Sequence, residues 1–388
     1  MIRAALARGI KASANFFLRL MRRLLWPLAP KRPPQVICIH RVGQIGDMIC
    51  AIPAISAIRA AYPHARLVLL TSPGMNSNSI ARELVPAFPG VDHVWVYYIN
   101  EVRGVKQVLR FLKTLRAERF DLWVALPQDL TLIRTELRNM VFARLVGARN
   151  ALGFRVNTVR VFARQQVQAG PQPLREAESL LRNLDKVGIS SAGAVMALAL
   201  PESDRALADT MIQKANLGSR PLLALVPGGN RASNRWPADR FAEIARRWVQ
   251  QEGQVMLLGS RADRELAASI ATPLGTEAAN LCGETTLMQT AALLDKASAV
   301  VTNDTGPMHL AAALGRPCVV PFSARDFPNK WHPWGEQHVV LRKQVACSPC
   351  FLEHCPFDNR CLTKITVDEV WTALTVIAVP AASGKIAE

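Results

Sequence analysis

Acidic residues are scarce in this 388-residue chain: 30 Asp and Glu stand against 47 Lys and Arg, a formal net charge of +17. Such an imbalance speaks of anionic partners and says nothing about the fold. Nucleic acid, an anionic membrane face and phosphorylated substrates all fit it. Aromatic residues are also few, at 6%, and no recognised nucleic-acid-binding module is present. Both facts argue against the first of these partners. No apolar run reaches the ~20 residues that span a bilayer, so no transmembrane segment is expected. Internal repeats and low-complexity tracts are absent, and half of the residues are hydrophobic, which excludes a disordered chain. The length exceeds one ordinary core and is enough for two. Eight cysteines are too sparse for a secreted disulfide scaffold, and no cleavable signal peptide is evident. The expected compartment is cytoplasmic.

What is present divides into four stretches. Residues 1–34 read as a basic amphipathic segment. Its charge comes from Arg3, Arg8, Lys11, Arg19, Arg22, Arg23, Lys31 and Arg32, with no acid over the first 32 positions. Phe16, Phe17, Leu20, Leu24 and Trp26 lie among those charges, and Pro27, Pro30, Pro33 and Pro34 stop any helix. Such a helix suits an anionic membrane surface. A targeting peptide or a plain solvated helix has a similar composition.

From there the chain alternates strand and helix twice over. Strand candidates in 35–200 are Val36–His40, Leu67–Thr71, His93–Tyr97, Leu122–Leu126 and Arg149–Phe154, with a helix expected from about Asp47 to Ala61. Those in 201–365 are Leu222–Val226, Val255–Gly259, Ala299–Asn303 and Cys318–Phe322. A closing helix, Val367–Ala378, and a tail occupy 366–388. Short apolar runs between helices predict parallel sheets covered on both faces. Two such Rossmann-like domains in tandem would place a ligand cleft at the carboxyl ends of their strands.

Three strand-to-helix loops have chemical potential. In Gly43-Gln44-Ile45-Gly46-Asp47 the glycines allow close approach to the backbone, and Asp47 is either a helix cap or a carboxylate facing a ligand. The dinucleotide glycine fingerprint is incomplete there, which disfavours an oxidoreductase. The second loop runs Pro227-Gly228-Gly229-Asn230-Arg231 through Asn234-Arg235-Trp236-Pro237. Glycines and two arginines at a helix start suit a diphosphate. In the third, Asn303 to His309, Pro307 opens a helix that Asp304 and Thr305 could simply cap, and His309 reads as a packed residue. Arg134 and Arg138 lie one helical turn apart, on a solvated face or on one that reads acceptor phosphates. Near the end, Cys347-x2-Cys350-x4-Cys355-x5-Cys361 has spacing that suits structural zinc, with His354 as a substitute ligand, or four reduced thiols.

Taken together, these motifs resemble glycosyltransferase family 9, the lipopolysaccharide heptosyltransferases. The resemblance runs from Gln35 to about Thr372. It rests on Arg41-x4-Gly46-Asp47 with Ala51-Ile52-Pro53-Ala54, on Pro227-Gly228 with Arg235-Trp236-Pro237, on Asn303 through Ala311, and on Lys330-Trp331-x-Pro333-Trp334-Gly335. It implies a GT-B fold of two facing Rossmann-like domains and inverting transfer without a catalytic cofactor. It implies an ADP-heptose donor and a lipid-linked, phosphorylated saccharide acceptor, the inner core of lipopolysaccharide. The enzyme would be peripheral on the inner face of the cytoplasmic membrane. On the matching positions, Asp47 is the implied base. Gly228, Gly229, Asn230, Arg231, Arg235, Asp263, Asp304, Thr305 and Gly306 are the donor contacts, and Arg41, Gly46, Arg134 and Arg138 stand on the acceptor side. One departure is Asn234, where many relatives have Lys, and it leaves room for another nucleotide sugar.

Overall fold

A computed structural model describes residues 2–26, 32–72, 83–84, 88–98, 100–128, 131–156 and 173–378. Pro27, Pro30, Lys31, the side chains of Arg3, Arg8 and Lys11, and the tail beyond 378 lie outside the described residues. The chain forms two compact units, residues 1–197 and 198–388.

The first unit runs α1 (Ile2–Leu25), β1 (Val36–Val42), α2 (Ile45–Ile49), α3 (Ile52–Ala61), β2 (Arg66–Ser72), β3 (His93–Val96), α4 (Val105–Ala117), β4 (Leu122–Ala125), α5 (Ile133–Leu145), β5 (Asn150–Leu152) and α6 (Glu176–Asp185). Its strands are parallel, in the order β3-β2-β1-β4-β5. Val36–Val42 has no polar alternation because helices cover both faces of the sheet: Ile37, Cys38 and Ile39 are all buried. The expected Asp47–Ala61 helix is two helices. Pro53 has no N–H to offer the Ile49 carbonyl, so the first helix ends there and a second begins. Gly153 closes the β5 edge with φ +86°, and a Cβ there would lie 2.2 Å from the Ala125 carbonyl oxygen. Only glycine fits.

In the second unit the elements are α7 (Glu202–Lys214), β6 (Leu222–Val226), α8 (Ala238–Gln250), β7 (Gln254–Leu257), α9 (Arg264–Ala271), β8 (Ala278–Asn280), α10 (Leu287–Asp295), β9 (Ala299–Thr302), α11 (Gly306–Ala313), β10 (Cys318–Phe322), β11 (Val339–Arg342), α12 (Arg360–Thr363) and α13 (Val367–Ala378). The parallel order is β11-β10-β9-β6-β7-β8. Helix α8 shows why these segments are helices: Phe241, Ile244, Ala245 and Trp248 recur at helical spacing and are buried. Helix α13 adds Val370, Ala373 and Leu374 to the same core. Sequence pattern missed β8 and β11. Both are short edge strands, and Ala278-Ala279-Asn280 has no β-branched or aromatic residue to mark it.

In each sheet the winding reverses at one place, between β1 and β4 in the first and between β6 and β9 in the second. Ligands of open α/β sheets bind at the carboxyl ends of the strands at such points. All three loops singled out from the sequence leave β1, β6 or β9 there.

Helix α1 is not a detached segment. Leu18 is fully buried and Ala14 nearly so in the core of the first unit, and Trp26 donates its indole N–H to the Ala148 carbonyl at 3.0 Å. Its ring also stacks on Phe154, centroids 5.8 Å apart. Large-to-small changes in a core cost about 2–5 kcal/mol. Leu18→Ala is therefore expected to lower the stability of the first unit by that order in a denaturant melt; an unshifted melt would mean that α1 hangs loose.

Candidate active site

At the switch point of the first sheet sits a carboxylate. Asp47 is the third residue of α2, with its side chain 12% exposed. Four hydrogen bonds from three residues hold it. The Gln44 backbone N–H donates to Oδ2 at 3.0 Å, the Gln128 amide to Oδ1 at 2.5 Å and Arg41 Nη2 to Oδ1 at 3.2 Å, while Arg41 Nε donates to the Asp47 carbonyl at 3.1 Å. Gln128 follows β4, so both strands flanking the switch point contribute. Gly43 is needed for the close turn: a Cβ there would lie 2.4 Å from the Asp47 Cβ. Burial raises the Asp47 pKa, and the charge of Glu176 raises it further. The Arg41 guanidinium opposes them, as do the bonds from Gln44 and Gln128. The net direction is upward, toward a better proton acceptor.

Arg41 has a different place from the one expected. Its side chain is fully buried, and Nη1 donates to the Leu126 carbonyl at 2.9 Å and to Glu176 Oε1 at 3.1 Å. A guanidinium with no exposed surface and these partners holds Asp47 and cannot reach an acceptor. Glu176, the first residue of α6 and itself buried, was not legible in the sequence, and neither was Gln128. Gly46 is half-buried beside Asp47 in α2. Arg134 and Arg138 both project, exposed, from α5. The positive charge of Arg138, after burial, helps lower the pKa of His40 to about 3.

The switch point of the second sheet is tied by Asn303, fully buried after β9. Its Nδ2 donates to the carbonyls of Pro227 at 2.8 Å and Gly228 at 3.0 Å, and its Oδ1 accepts from the Trp236 N–H at 2.9 Å. One amide thus clamps both ends of the Gly228–Trp236 loop. The Trp236 ring is anchored through its own N–H to the Ile365 carbonyl at 3.0 Å. Asn234 is buried and reaches the other loop, donating to the carbonyl (3.1 Å) and Oδ2 (3.2 Å) of Asp304.

Arg235 folds over Gly229, donating to its carbonyl through Nε at 2.9 Å, with Nη2 3.8 Å from Asp263. Asp263 is buried and takes the Ser260 N–H at 3.0 Å and hydroxyl at 2.6 Å. A Cβ on Gly228 would meet that carboxyl at 2.3 Å, so glycine brings the β6 loop against Asp263. Arg231 pairs with Glu353 at 3.0 Å, and Asn230 is exposed. Thr305 precedes α11 as its cap residue, its hydroxyl 3.3 Å from the Asn303 carbonyl, and Gly306 begins the helix. The structure therefore gathers Gly228, Gly229, Arg235, Asp263, Asp304, Thr305 and Gly306 around one loop cluster. His309 is buried on α11, its pKa lowered to about 4 by burial and then by His338.

The four cysteines of the terminal cluster are free thiols. Among the described residues no group of three or more His, Cys, Asp or Glu is placed to hold a metal ion. Cys361 lies in the apolar core of the second unit, and Cys347 packs against it.

One unit thus carries a largely buried carboxylate at its switch point, and the other a loop cluster of glycines and arginines. Residues 108–360 match the family described as glycosyltransferase family 9 (heptosyltransferase). The lipopolysaccharide core heptosyltransferase of Haemophilus influenzae is 25% identical over 314 residues, 79% of this chain and 84% of the relative. Lipopolysaccharide heptosyltransferase 2 of Escherichia coli is 38% identical over 128 residues, 32% of this chain and 36% of its own length. Among solved structures, a family 9 glycosyltransferase of Veillonella parvula superposes with a TM-score of 0.72 at 18% identity, covering 89% of this chain and 97% of that one. Heptosyltransferase II of Escherichia coli gives 0.62 at 24%, covering 88% and 98%. The chain belongs to glycosyltransferase family 9 and is a glycosyltransferase. Asp47 lies upstream of the matched span.

Asp304 yields a test of the second site. Burial and the nearby Asp326 push its pKa up to about 7, against weaker lowering by Arg325, Arg231 and Asn234. In the unfolded chain it titrates near the ordinary Asp value of about 3.9. The folded state thus binds the extra proton between those values, and this group destabilises the fold most above pH ~7. Asp304→Asn is expected to melt higher than the parent at pH ~8, with the gain shrinking as pH falls toward ~5. A constant difference across that range in thermal melts would contradict the raised pKa.

Proposed function

We propose that this enzyme transfers a heptose from ADP-heptose to the inner core of lipopolysaccharide, with inversion, at the inner face of the cytoplasmic membrane. The observation that carries the chemistry is the Asp47 carboxylate. Its Oδ1 already accepts from Gln128 and Arg41, filling two lone-pair sites. Oδ2 accepts only the Gln44 N–H among the described groups, so one lone pair remains for a substrate proton. As the acceptor hydroxyl oxygen bonds to the anomeric carbon, its proton passes to Oδ2. The glycosidic bond to the diphosphate breaks, and ADP leaves with that electron pair. Direct displacement of this kind inverts the anomeric centre. Arg41 holds the base in line through its bonds to the Asp47 carboxylate and carbonyl. The similar lipopolysaccharide heptosyltransferases, and the similar Escherichia coli ADP-heptose lipopolysaccharide heptosyltransferase II, support the acceptor and donor classes, and the high positive charge suits an anionic donor and a phosphorylated acceptor.

On the donor side, Arg235 and Arg231 supply the positive charge for the diphosphate, in place of a metal ion. Asn234 favours a second reading, in which a family 9 transferase uses another nucleotide sugar. Its neutral amide is committed to Asp304 and brings no positive charge to the diphosphate. Competition between ADP-heptose and other nucleotide sugars separates the two.

Asp47→Asn keeps the size and the capping ability of the side chain. Turnover is expected to fall by ~10²–10⁴-fold with donor affinity preserved. The acid limb of kcat/KM should lie above the ordinary Asp range, since protonation of a raised-pKa base removes activity as pH falls. Turnover of Asp47→Asn within a few-fold of the parent would end the base role.

Arg235→Ala removes a charge-assisted contact worth about 1.5–3 kcal/mol. Calorimetry should show ADP-heptose affinity reduced by roughly 10–150-fold with the fold intact. Unchanged affinity would take Arg235 out of the diphosphate site.

A further inference from the structure

On one side of the first sheet the register brings Cys38 beside Val68 and Trp123, and His40 beside Leu70 and Ala125. Helices α1, α4 and α5 all pack on this side, contributing Leu18, Leu112, Leu115 and Met140 to one core. Phe111 of α4 stacks on Phe142 of α5, centroids 6.3 Å apart, and Trp26 at the end of α1 bonds to the loop after α5. The three helices form one layer.

The outer surface of that layer is unusual in two ways. Of the fourteen large hydrophobic side chains exposed among the described residues, nine are on these three helices, and α2, α3 and α6 of the same unit have none. Phe16 and Leu24 on α1 are 64% and 66% exposed, and Val105 and Leu109 on α4 are 75% and 59% exposed. Basic residues lie among them: Arg19, Arg22 and Arg23 on α1, Lys106, Arg110 and Lys113 on α4, and three arginines on α5. The sole acid within the three helices is Glu136, and it is buried. A cavity beside α1 keeps the same sign, with Arg22, Arg155 and Lys186 in its lining and no carboxylate.

A merely solvated face has no reason to expose apolar groups in this density. Apolar side chains among cations of one sign suit the headgroup boundary of an anionic bilayer, where the former insert and the latter meet phosphates. We infer that α1, α4 and α5 together make one membrane-docking face, with α4 as direct a contributor as the N-terminal helix. The inference deepens the proposal of a lipid-linked acceptor and rests on it for the identity of the membrane. Docking itself is measured without any acceptor.

The experiment is flotation of the full chain with vesicles of phosphatidylglycerol and phosphatidylethanolamine, beside vesicles of phosphatidylcholine alone. Binding is expected to the anionic vesicles only and to weaken with salt. Val105→Glu/Leu109→Glu changes α4 and leaves α1 intact; it is expected to cut partitioning at least ten-fold with an unchanged melting temperature. Arg110→Ala alone should cost about five-fold. Full vesicle binding by the α4 double variant would overturn the composite face. So would equal binding to both kinds of vesicle. Lipid-free self-association that the same variant abolishes would assign the face to a second copy of the chain and also overturn it. Heptose transfer to a delipidated, soluble acceptor, measured in parallel, should be the same in parent and α4 variant. Its absence in the parent would sink the proposed reaction while leaving the docking result to stand.

Discussion

Arg41 is the interaction on which the first unit's chemistry depends. A guanidinium with no exposed surface is tolerable only when its charge and donors are met, and here two carboxylates and two carbonyls meet them. Removing one partner from such an arrangement strands a buried charge, at a cost of about 3–5 kcal/mol. The four acceptors come from α2, from the end of β4 and from the start of α6. One side chain therefore sets how the switch-point loop, its neighbouring strand and a distant helix meet. Asp47 inherits its orientation from that junction, and its raised pKa comes from the same burial.

The second unit solves the corresponding problem without charge. Asn303 stands after β9 and ties both ends of the β6 loop through neutral hydrogen bonds. A neutral clamp leaves the local field to Arg231, Arg235, Asp263 and Asp304. Glycine plays a parallel part in both units: Gly43 and Gly228 are each required by a carboxyl group pressed against the backbone. The same device serves Asp47 in one sheet and Asp263 in the other.

Much of this was legible in the sequence. Buried parallel strands announce themselves as apolar runs, and Leu222–Val226 and Cys318–Phe322 fall where those runs do. The loops after β1, β6 and β9 were readable because glycine, proline and charge concentrate where a strand turns into a helix. Glu176 and Gln128 were invisible for a physical reason. They reach the site through tertiary folding, from α6 and from the end of β4, and nothing in their neighbours distinguishes them from ordinary polar residues. The burial of Arg41 was hidden on the same ground, since neither its neighbours nor the family resemblance tells a buried organising cation from one that greets a ligand. The basic, apolar N-terminal stretch was recognised as amphipathic, but its burial could not be foreseen. The residues that dock, Ala14, Leu18 and Met21, lie on the same helix as those left outside.

The pairing of Arg41 with Glu176 spans 135 positions of the chain. During synthesis the amino-terminal strand and its loop leave the ribosome long before α6 exists, at a rate of roughly 5–20 residues per second. For that interval of several seconds Arg41 and Asp47 have each other but not the carboxylate that completes the junction. Contacts of such long sequence separation are among the last to form, because loop closure precedes any gain from them. The junction around Asp47 is thus assembled late, and a nascent chain halted before residue 176 has Asp47 and Arg41 without the carboxylate that completes their setting.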